Sequence, residues 1–465
     1  MSFEITKQLI QKIESDVENG HDNDVIAVLK ELHPADIAEL LDDLHSSTTT
    51  YVFRLIDKEI AADVLVDLEE DLREHLMKSL TSKEIAEDVI DRIDSDDAAD
   101  MIAELPTEKR EEVIALLEDQ EQASDIIDLL NYEEGTAGSL MAKELMKVNL
   151  NWTISNCIRE LRKQAVDVDN VYTIYVVDNQ DLLLGRLSLR KLLFNASSTR
   201  ALVSDIYEKD QKLATVNPDV EEQDVVRMME KYDLVTIPVV NDAGILLGRI
   251  TIDDVVDVIM EEAEKDYQLA SGIAEDVESK DNIWTLTRAR LPWLLIGLAG
   301  GLAGAKVIGV FNIAENPMMA LFIPLIAAMG GNVGVQSAAI VVQGLANQSL
   351  KNEKMSAKLL KEFGVGALNG LICSIILLGA SFVLGFGTSL CFTVSIALIA
   401  VIIFAALFGT FIPLILDKYK IDPALATGPF ITTANDIVGL IIYFTVAQFV
   451  TKHFDPDFLA LAFLH

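Results

Sequence analysis

Five apolar stretches in the second half of the chain constrain its fold more than any other feature. They cover residues 291–311, 318–346, 363–386, 390–416 and 424–450. Each is long enough for a membrane-spanning helix, which needs roughly 20 residues. A single helix satisfies its backbone hydrogen bonds internally, so apolar stretches of this length favour helices in a bilayer. The sequence therefore predicts a five-helix, all-α transmembrane domain at residues 288–465.

The basic residues around these stretches predict the orientation. Eight of them fall on one side, at Arg288, Arg290, Lys351, Lys354, Lys358, Lys361, Lys418 and Lys420. The loops on the other side, "FNIAENP" and "GFGTSLC", carry none. Loops rich in Lys and Arg stay in the cytoplasm. We therefore expect a multi-pass protein of the plasma (inner) membrane, with a cytoplasmic N-terminus and the C-terminus outside.

Charge is distributed unevenly along the chain, whose formal net charge is −36. Residues 1–290 hold 65 acidic and 29 basic residues, whereas residues 291–465 hold 8 of each. Such an acidic half repels nucleic acid and anionic lipid, so divalent cations are the expected partners. The three cysteines are widely spaced and odd in number, which argues against a disulfide-stapled secreted protein.

A helical repeat occupies the N-terminal region. From about residue 30 to 130, segments such as "HPADIAELLDDL" and "DSDDAADMIAEL" recur roughly every 12 residues. Most begin with a helix-capping or acidic residue and continue with apolar residues at helical spacing. Short helices at a fixed period stack into a solenoid. We expect an acidic, all-α superhelical domain at residues 1–135.

A second repeat follows with strand-like spacing. Residues 174–193 and 237–256 align without a gap at an offset of 63 with seven identical positions, and an amphipathic helix precedes each. This duplicated helix–strand–strand–helix unit resembles a pair of cystathionine-β-synthase (CBS) domains, with boundaries at 136–202 and 203–258. A charged connecting helix is expected at residues 259–287. The predicted fold class is thus multi-domain, with the α-solenoid, α+β tandem CBS domains, connecting helix and transmembrane helices in that order.

The CBS resemblance implies that an adenosine nucleotide such as ATP binds. In "GRITIDD" the positions that hold ribose in CBS domains are Thr251 and Asp254. The first unit carries Lys191 where the aspartate is expected, so the nucleotide site is predicted in the second. Asp254 also stands where a residue would cap the following helix.

Asp436 is the only acidic residue within the five apolar stretches, and Lys306 the only basic one. A central membrane aspartate costs roughly 2.5–3.5 kcal/mol on insertion scales, and such residues commonly mark ion pathways. The surrounding oxygens include those of Thr432 and Asn332, while no histidine lies within the stretches. Hard cations such as Mg²⁺, which keeps its waters, suit this donor set. The alternative is a hydrogen-bonded aspartate that joins two helices.

Two motifs, "GGNVGVQSA" and "DPALATGPFITTANDIVGLIIYF", resemble the signature stretches of the MgtE family of magnesium channels. The resemblance covers the whole chain and implies a homodimer, not an enzyme, with Asp436 in the pore and closure by intracellular Mg²⁺. The metal ligands that it implies, to within one residue for the first two, are Asp96, Asp100, Glu221, Asp233, Asp254, Asp257, Glu262 and Asp266. Gln223 and Lys265 replace acids of the family pattern.

Two other functions fit parts of the sequence. A CBS-regulated secondary transporter could use Asp436 as an H⁺ or Na⁺ relay, and a membrane-anchored scaffold could bind cations without transport. An intramembrane aspartyl protease would need two carboxylates that share a proton at bilayer depth. The apolar stretches supply only one.

Overall fold

The computed structural model describes residues 5–453 except 166–167, 169–170, 195–199, 210–212, 275–276, 278–280, 312–316, 348, 351–353 and 427. The chain divides into two compact units, Met1–Ile259 and Met260–His465. The first unit contains ten N-terminal helices and two small sheets, and the second contains the long apolar helices.

The N-terminal region is all-α. Its helices are α1 (Lys7–Glu18), α2 (Asp22–Leu29), α3 (Pro34–Asp43), α4 (Ser46–Phe53), α5 (Lys58–Val66), α6 (Glu70–Ser79), α7 (Ser82–Asp88), α8 (Ser95–Ala103), α9 (Thr107–Leu116) and α10 (Gln120–Leu129). Helix α3 packs on α5, α5 on α7, α7 on α9, and α8 on α10. This alternate stacking is the solenoid that the repeat predicts.

Capping residues set the helix starts in the solenoid. The Thr81 backbone N–H donates to Glu84, whose own N–H donates to the Thr81 hydroxyl. His33 and Asp36 form an equivalent box before α3. Such boxes satisfy backbone donors that a helix N-terminus leaves free. The apolar faces between the caps form one buried core.

The tandem CBS modules follow. The first has β1 (Met146–Asn149), α11 (Ile154–Gln164), β2 (Ile174–Val177), β3 (Leu183–Leu187) and α12 (Leu189–Phe194). The second has α13 (Glu222–Tyr232), β4 (Thr236–Val240), β5 (Leu246–Thr251) and α14 (Ile252–Ser271). Strand β2 pairs antiparallel with β3 and parallel with β1, and β4 pairs antiparallel with β5. The repeat at offset 63 thus gives the same hairpin twice.

Helix α14 begins at Ile252, as the last element of the second module, and ends at Ser271. The next helix starts at Ile283. The connecting helix is therefore continuous with the CBS module, and it begins before residue 259 because no helix-breaking residue separates the two in "TIDDVVDVIMEE".

Among the residues that the structure describes, five helices in the second unit are long and apolar enough to cross a membrane. They are α15 (Ile283–Val310), α16 (Ile323–Ala346, preceded by a short 3₁₀ turn from Pro317), α17 (Met355–Val383), α18 (Thr388–Lys418) and α19 (Gly428–His453). Helix α16 packs against both α18 and α19, and α15 packs against α19.

The helices extend beyond the apolar stretches at several ends. Helix α17 begins eight residues before 363 and takes in Glu362, whose carboxylate accepts a hydrogen bond of 2.6 Å from the Ser337 hydroxyl of α16. Asp436 is therefore not the only acid within these helices. Hydropathy marks the part of a helix that lipid can cover, whereas helix propensity lets Lys and Glu continue it.

Candidate cation sites

Asp436 lies on α19 beside the glycines of α16, and it is partly buried. A Cβ added to Gly331 would lie 3.8 Å from Asp436 Oδ1 and 2.7 Å from Thr432 Cγ2. The second of these distances is too short for a real side chain. Glycine at position 331 therefore lets the α16 backbone reach the face of α19 that carries Thr432 and Asp436.

Thr432 and Asn332, the two other predicted ligands near Asp436, lie on different helices. The Thr432 hydroxyl donates to the Gly428 carbonyl at 2.6 Å, so its oxygen keeps accepting capacity. Asn332 directly follows Gly331 and is exposed on α16. The structure therefore brings Thr432 onto the face of Asp436, and leaves Asn332 at an open face of the neighbouring helix.

Asn435 locks α16 and α19 together beside Asp436. It is only 1% exposed, and its amide nitrogen donates to the Gly330 carbonyl at 3.3 Å. Because the neutral amide of Asn435 joins the two helices, the carboxylate of Asp436 is not needed to join them. This arrangement weakens the alternative in which Asp436 itself joins the helices.

The first unit contains a cluster of acids between the solenoid and the second CBS module. Asp96 and Asp97 lie in the first turn of α8, and both are close enough to Asp254 of α14 for its charge to raise their pKa values. Burial is the larger cause, and it raises the pKa of Asp97 to about 7 and that of Asp96 well above its usual range. The pKa of Asp254 is also raised, chiefly by burial. At neutral pH the cluster favours any cation that can bridge these carboxylates.

Two further acids extend this cluster. One carboxylate oxygen from each of Asp94, Asp96 and Glu144 lies within 4.8 Å of the others, which is a spacing that could hold a metal ion. Glu144 is held in place because Ser95 donates to it from both its backbone nitrogen, at 3.2 Å, and its hydroxyl, at 2.8 Å. The predicted Asp100 is exposed, and its charge contributes to the raised pKa of Asp97.

Asp257 lies one turn beyond Asp254 on α14. Its pKa is raised by partial burial first, and then by the charges of Asp254, Asp253 and Asp67. Asp67 directly follows the solenoid helix α5 and has a raised pKa of its own, mainly because of burial. The α14 acids therefore face acids of the solenoid at two points.

Glu221 and Asp233 lie far apart from each other. They flank the 11-residue helix α13, as its N-cap and C-cap, and both are exposed. A helix of that length separates its ends by about 16 Å. These two acids cannot share one ion within a single chain.

In the second unit, Asp266 of α14 lies close to Asp422, which precedes α19. Burial and then the charge of Asp422 raise the pKa of Asp266. The two backbones also meet here, since a Cβ added to Gly428 would clash with the Ala270 carbonyl oxygen. The other predicted acid on this helix, Glu262, is partly buried.

The sequence analysis missed Asp97, Asp94, Glu144, Asp67 and Asp422 as members of these clusters. Asp97 adjoins the predicted Asp96, and Asp422 belongs to the quoted motif "DPALATGPF". Asp94 begins the quoted segment "DSDDAADMIAEL", two residues before Asp96, whereas Glu144 and Asp67 carry no local signal. They meet their partners only through packing between elements that are distant in sequence.

Asp254, which is predicted to bind the ribose of a nucleotide, also has a structural role at the start of α14. Its Oδ2 accepts hydrogen bonds from the Thr251 hydroxyl at 2.7 Å and from the Thr251 backbone N–H at 2.8 Å, so it caps α14. A cavity of about 410 Å³ lies instead in the first module, lined by residues that include Tyr172 and Arg186. Lys191 and Arg186 both pair with Glu208 there, each at 3.1 Å.

Comparison with known proteins identifies three regions of the chain. Residues 32–135 match the MgtE intracellular N domain, residues 203–261 match the CBS domain, and residues 323–446 match the MgtE divalent cation transporter domain. These matches follow the order of solenoid, CBS module and apolar helices seen in the structure.

Two magnesium transporters match more than two thirds of this chain. The magnesium transporter MgtE of Thermus thermophilus is 32% identical over 96% of this chain and 99% of its own length. That of Enterococcus faecalis is 34% identical over 70% of this chain and 71% of its own. A solved cytosolic domain of the Mg²⁺ channel MgtE in complex with ATP is 32% identical, covers 53% of this chain and 98% of that chain, and has a TM-score of 0.48. With an acid-lined solenoid, CBS modules and five apolar helices in this order, the chain belongs to the MgtE family of magnesium transporters, which are multi-pass membrane proteins and not enzymes.

Proposed function

We propose that this protein is a Mg²⁺-selective channel that imports divalent cations across the plasma membrane and is closed by intracellular Mg²⁺. The observation that carries the proposal is the group of partly buried carboxylates of Asp96, Asp97 and Asp254, in which the charge of Asp254 adds to the raised pKa values of Asp96 and Asp97. Like charges held this close are unfavourable unless a cation or protons offset them. A divalent ion in the cytoplasm supplies that charge.

Asp436 is the selectivity ligand in this proposal. Mg²⁺ gives up its waters reluctantly and is commonly held by one or two carboxylates with its waters retained. Gly331 lets the α16 backbone approach the face of α19 that carries this carboxylate, and the contact between the two helices is made by Asn435. One carboxylate per chain, doubled by a two-fold axis, gives a wide site for a hydrated ion.

The exposed face of α16 supports a water-lined path. Asn332, Gln336 and Gln343 are all exposed and lie at i, i+4 and i+11, on one side of the helix. A row of amides is unfavourable against lipid and is normally turned toward protein or water. We place this face toward the pore and the partner subunit of a homodimer.

Helix α14 supplies a second surface for the homodimer. Val256, Met260 and Tyr267 are 48%, 57% and 75% exposed, and with Ile259 and Ala263 they form one stripe at helical spacing. Apolar stripes of this kind pack against another helix. The matching stripe of a second copy is the occupant we propose.

Closure is proposed to travel along α14. Its start carries Asp254 and Asp257 of the acidic cluster, and its end contacts Gly428 and Pro429, where α19 begins. Asp436 lies two turns further along α19. Moving a gate from 1:99 to 99:1 needs about 5.5 kcal/mol of differential binding, which several bridged acid pairs can supply together. The pair of Asp266 and Asp422 would be bridged in the same way.

A nucleotide is proposed as a second regulator at the CBS modules, with Thr251 and Asp254 as the candidate ribose ligands. Since Asp254 Oδ2 already accepts two hydrogen bonds from Thr251, a ribose hydroxyl would have to use Oδ1. Nucleotide and Mg²⁺ would then compete for one carboxylate. Isothermal titration of the full-length protein with ATP, with and without saturating Mg²⁺, tests this competition.

Flux into proteoliposomes tests the transport function. Asp436→Ala and Asp436→Asn should abolish or sharply reduce Mg²⁺ uptake while the dimer still assembles, whereas Asp417→Asn, at an exposed position near the end of α18, should leave uptake unchanged. Uptake by Asp436→Asn with wild-type Mg²⁺ selectivity contradicts the proposal. Wild-type uptake that requires an H⁺ or Na⁺ gradient would indicate a coupled transporter instead.

A further inference from the structure

A mixed nitrogen and oxygen donor set lies at the start of the solenoid, apart from the acidic clusters described above. Asp16 is on α1, Asp24 is in the first turn of α2, and His21 precedes α2. One ligand atom from each of these residues lies within 4.8 Å of the others. His21 Nδ1 and Asp16 Oδ1 are 3.5 Å apart. We call this set the α1–α2 triad.

Local backbone structure brings the three residues together. Gly20 has φ +70°, a conformation that glycine adopts easily, and it reverses the chain after α1. The His21 backbone N–H then donates to the Asp16 carbonyl at 2.8 Å, and the Asp24 N–H donates to the His21 carbonyl at 3.0 Å. The positions of the three side chains are therefore set by one short turn.

The charge around the triad favours a cation. Residues 14–24, "ESDVENGHDND", contain five acids and no lysine or arginine. Among the residues that the structure describes, no lysine or arginine forms an ion pair with Asp16 or Asp24. The two carboxylates supply oxygen donors to a ligand, and the imidazole supplies a nitrogen donor.

We propose that the α1–α2 triad binds one borderline transition-metal ion, such as Zn²⁺ or Co²⁺, in preference to Mg²⁺. Imidazole suits Zn²⁺ and its neighbours in the first transition series, whereas Mg²⁺ takes oxygen ligands. The set formed by Asp94, Asp96 and Glu144 has oxygen donors only. The N-terminal domain therefore offers two sites that differ in ion preference. Metal binding by the triad does not require that the protein transport Mg²⁺.

Co²⁺ is the probe, because its visible d–d absorption reports nitrogen ligation. The experiment uses tag-free, full-length protein in detergent with Mg²⁺ in large excess to fill the oxygen-only sites. Wild-type protein should bind one Co²⁺ with an absorption change, and Zn²⁺ should displace it. His21→Ala should weaken Co²⁺ binding more than about tenfold, since even outer-shell losses weaken metal binding by about 10–100-fold. Asp16→Asn with Asp24→Asn should do the same.

His45→Ala is the matched control. His45 Nε2 lies 3.8 Å from Glu14 Oε1, so these residues are also a histidine–acid pair near α1, but they belong to no three-residue set of possible metal ligands among the described residues. The His21 side chain is 56% exposed, so its removal leaves the core intact, and circular dichroism checks this. Equal Co²⁺ binding by wild type and His21→Ala, or displacement of Co²⁺ by Mg²⁺ at comparable concentration, would show an adventitious ion only and overturn the proposal.

Discussion

Replacing Asp97 by asparagine offers a quantitative test of the acidic cluster. Burial, and then the charges of Asp254 and Asp94, raise the pKa of Asp97 from 3.8 to about 7. The carboxylate is thus less stable as an anion in the folded protein than in the unfolded chain. Asparagine keeps the shape and removes the charge, so the folded state should gain stability in the absence of divalent ions.

The size and the pH range follow from that pKa. A pKa elevation of about three pH units corresponds to about 4 kcal/mol, at 1.36 kcal/mol per unit. The folded state binds the extra proton, so wild-type stability falls as pH rises through the interval from about 4 to about 7. Asp97→Asn should therefore be the more stable protein above pH 7, by up to about 4 kcal/mol, and the difference should shrink toward pH 4.

Thermal unfolding of the full-length protein in detergent with a chelator measures the effect at pH 5 and pH 8. For a domain of this size each kcal/mol corresponds to roughly 2–4 °C. Added Mg²⁺ should raise the midpoint of wild type more than that of Asp97→Asn, because the variant has lost both the repulsion and a ligand. Glu31→Gln, at an exposed acid outside the cluster, is the control and should change little.

Two results would refute this reasoning. One is a variant that is no more stable than wild type at pH 8 in chelator. The other is a gain in stability that is the same at pH 5 and pH 8, because a pH-independent gain would come from packing and not from the carboxylate charge.

The membrane domain gives two further predictions. Gly331→Ala should strongly reduce Mg²⁺ uptake, because its Cβ would lie 2.7 Å from Thr432 Cγ2. Gly301→Ala is the control and should transport normally, because no atom lies within 4 Å of the added Cβ. Equal uptake by the two variants would exclude a tight contact between α16 and α19. Ser337→Ala should lower the thermal midpoint, because it removes the hydroxyl that donates to Glu362, at a cost of about 1–3 kcal/mol. The double variant Ser337→Ala with Glu362→Met should be less destabilised than Ser337→Ala alone, and the opposite order would show that Glu362 has another, more important partner.

Much of the architecture could be predicted because it depends on local patterns. The repeat at offset 63 predicts two hairpins, and both form at the expected positions, β2–β3 and β4–β5. The apolar stretches predict five helices, although the ends of α17 and α18 are extended by polar residues such as Glu362 and Asp417. Helix ends depend on capping and loop structure, which hydropathy does not report.

The cation sites were predictable only in part. Asp254 and Asp96 stand in recognisable motifs, and the structure brings them together across about 160 residues of sequence. Glu144 and Asp67 do not stand in motifs, because their roles come from the side chains that pack beside them. Glu221 and Asp233, both predicted ligands, are held apart by the length of α13.

The sequence by itself determined the separation into an acidic half and an apolar half, the two kinds of repeat, and the single carboxylate in the fifth apolar stretch. These features follow from the composition and spacing of residues that are neighbours in the chain. Only the tertiary structure decided that Asp97 and Asp254 share one buried environment, that Asn435 rather than Asp436 pairs α19 with α16, and that Asp266 faces Asp422. Electrostatic coupling depends on distance in space and on burial, and both are fixed by the packing of elements that are remote in sequence.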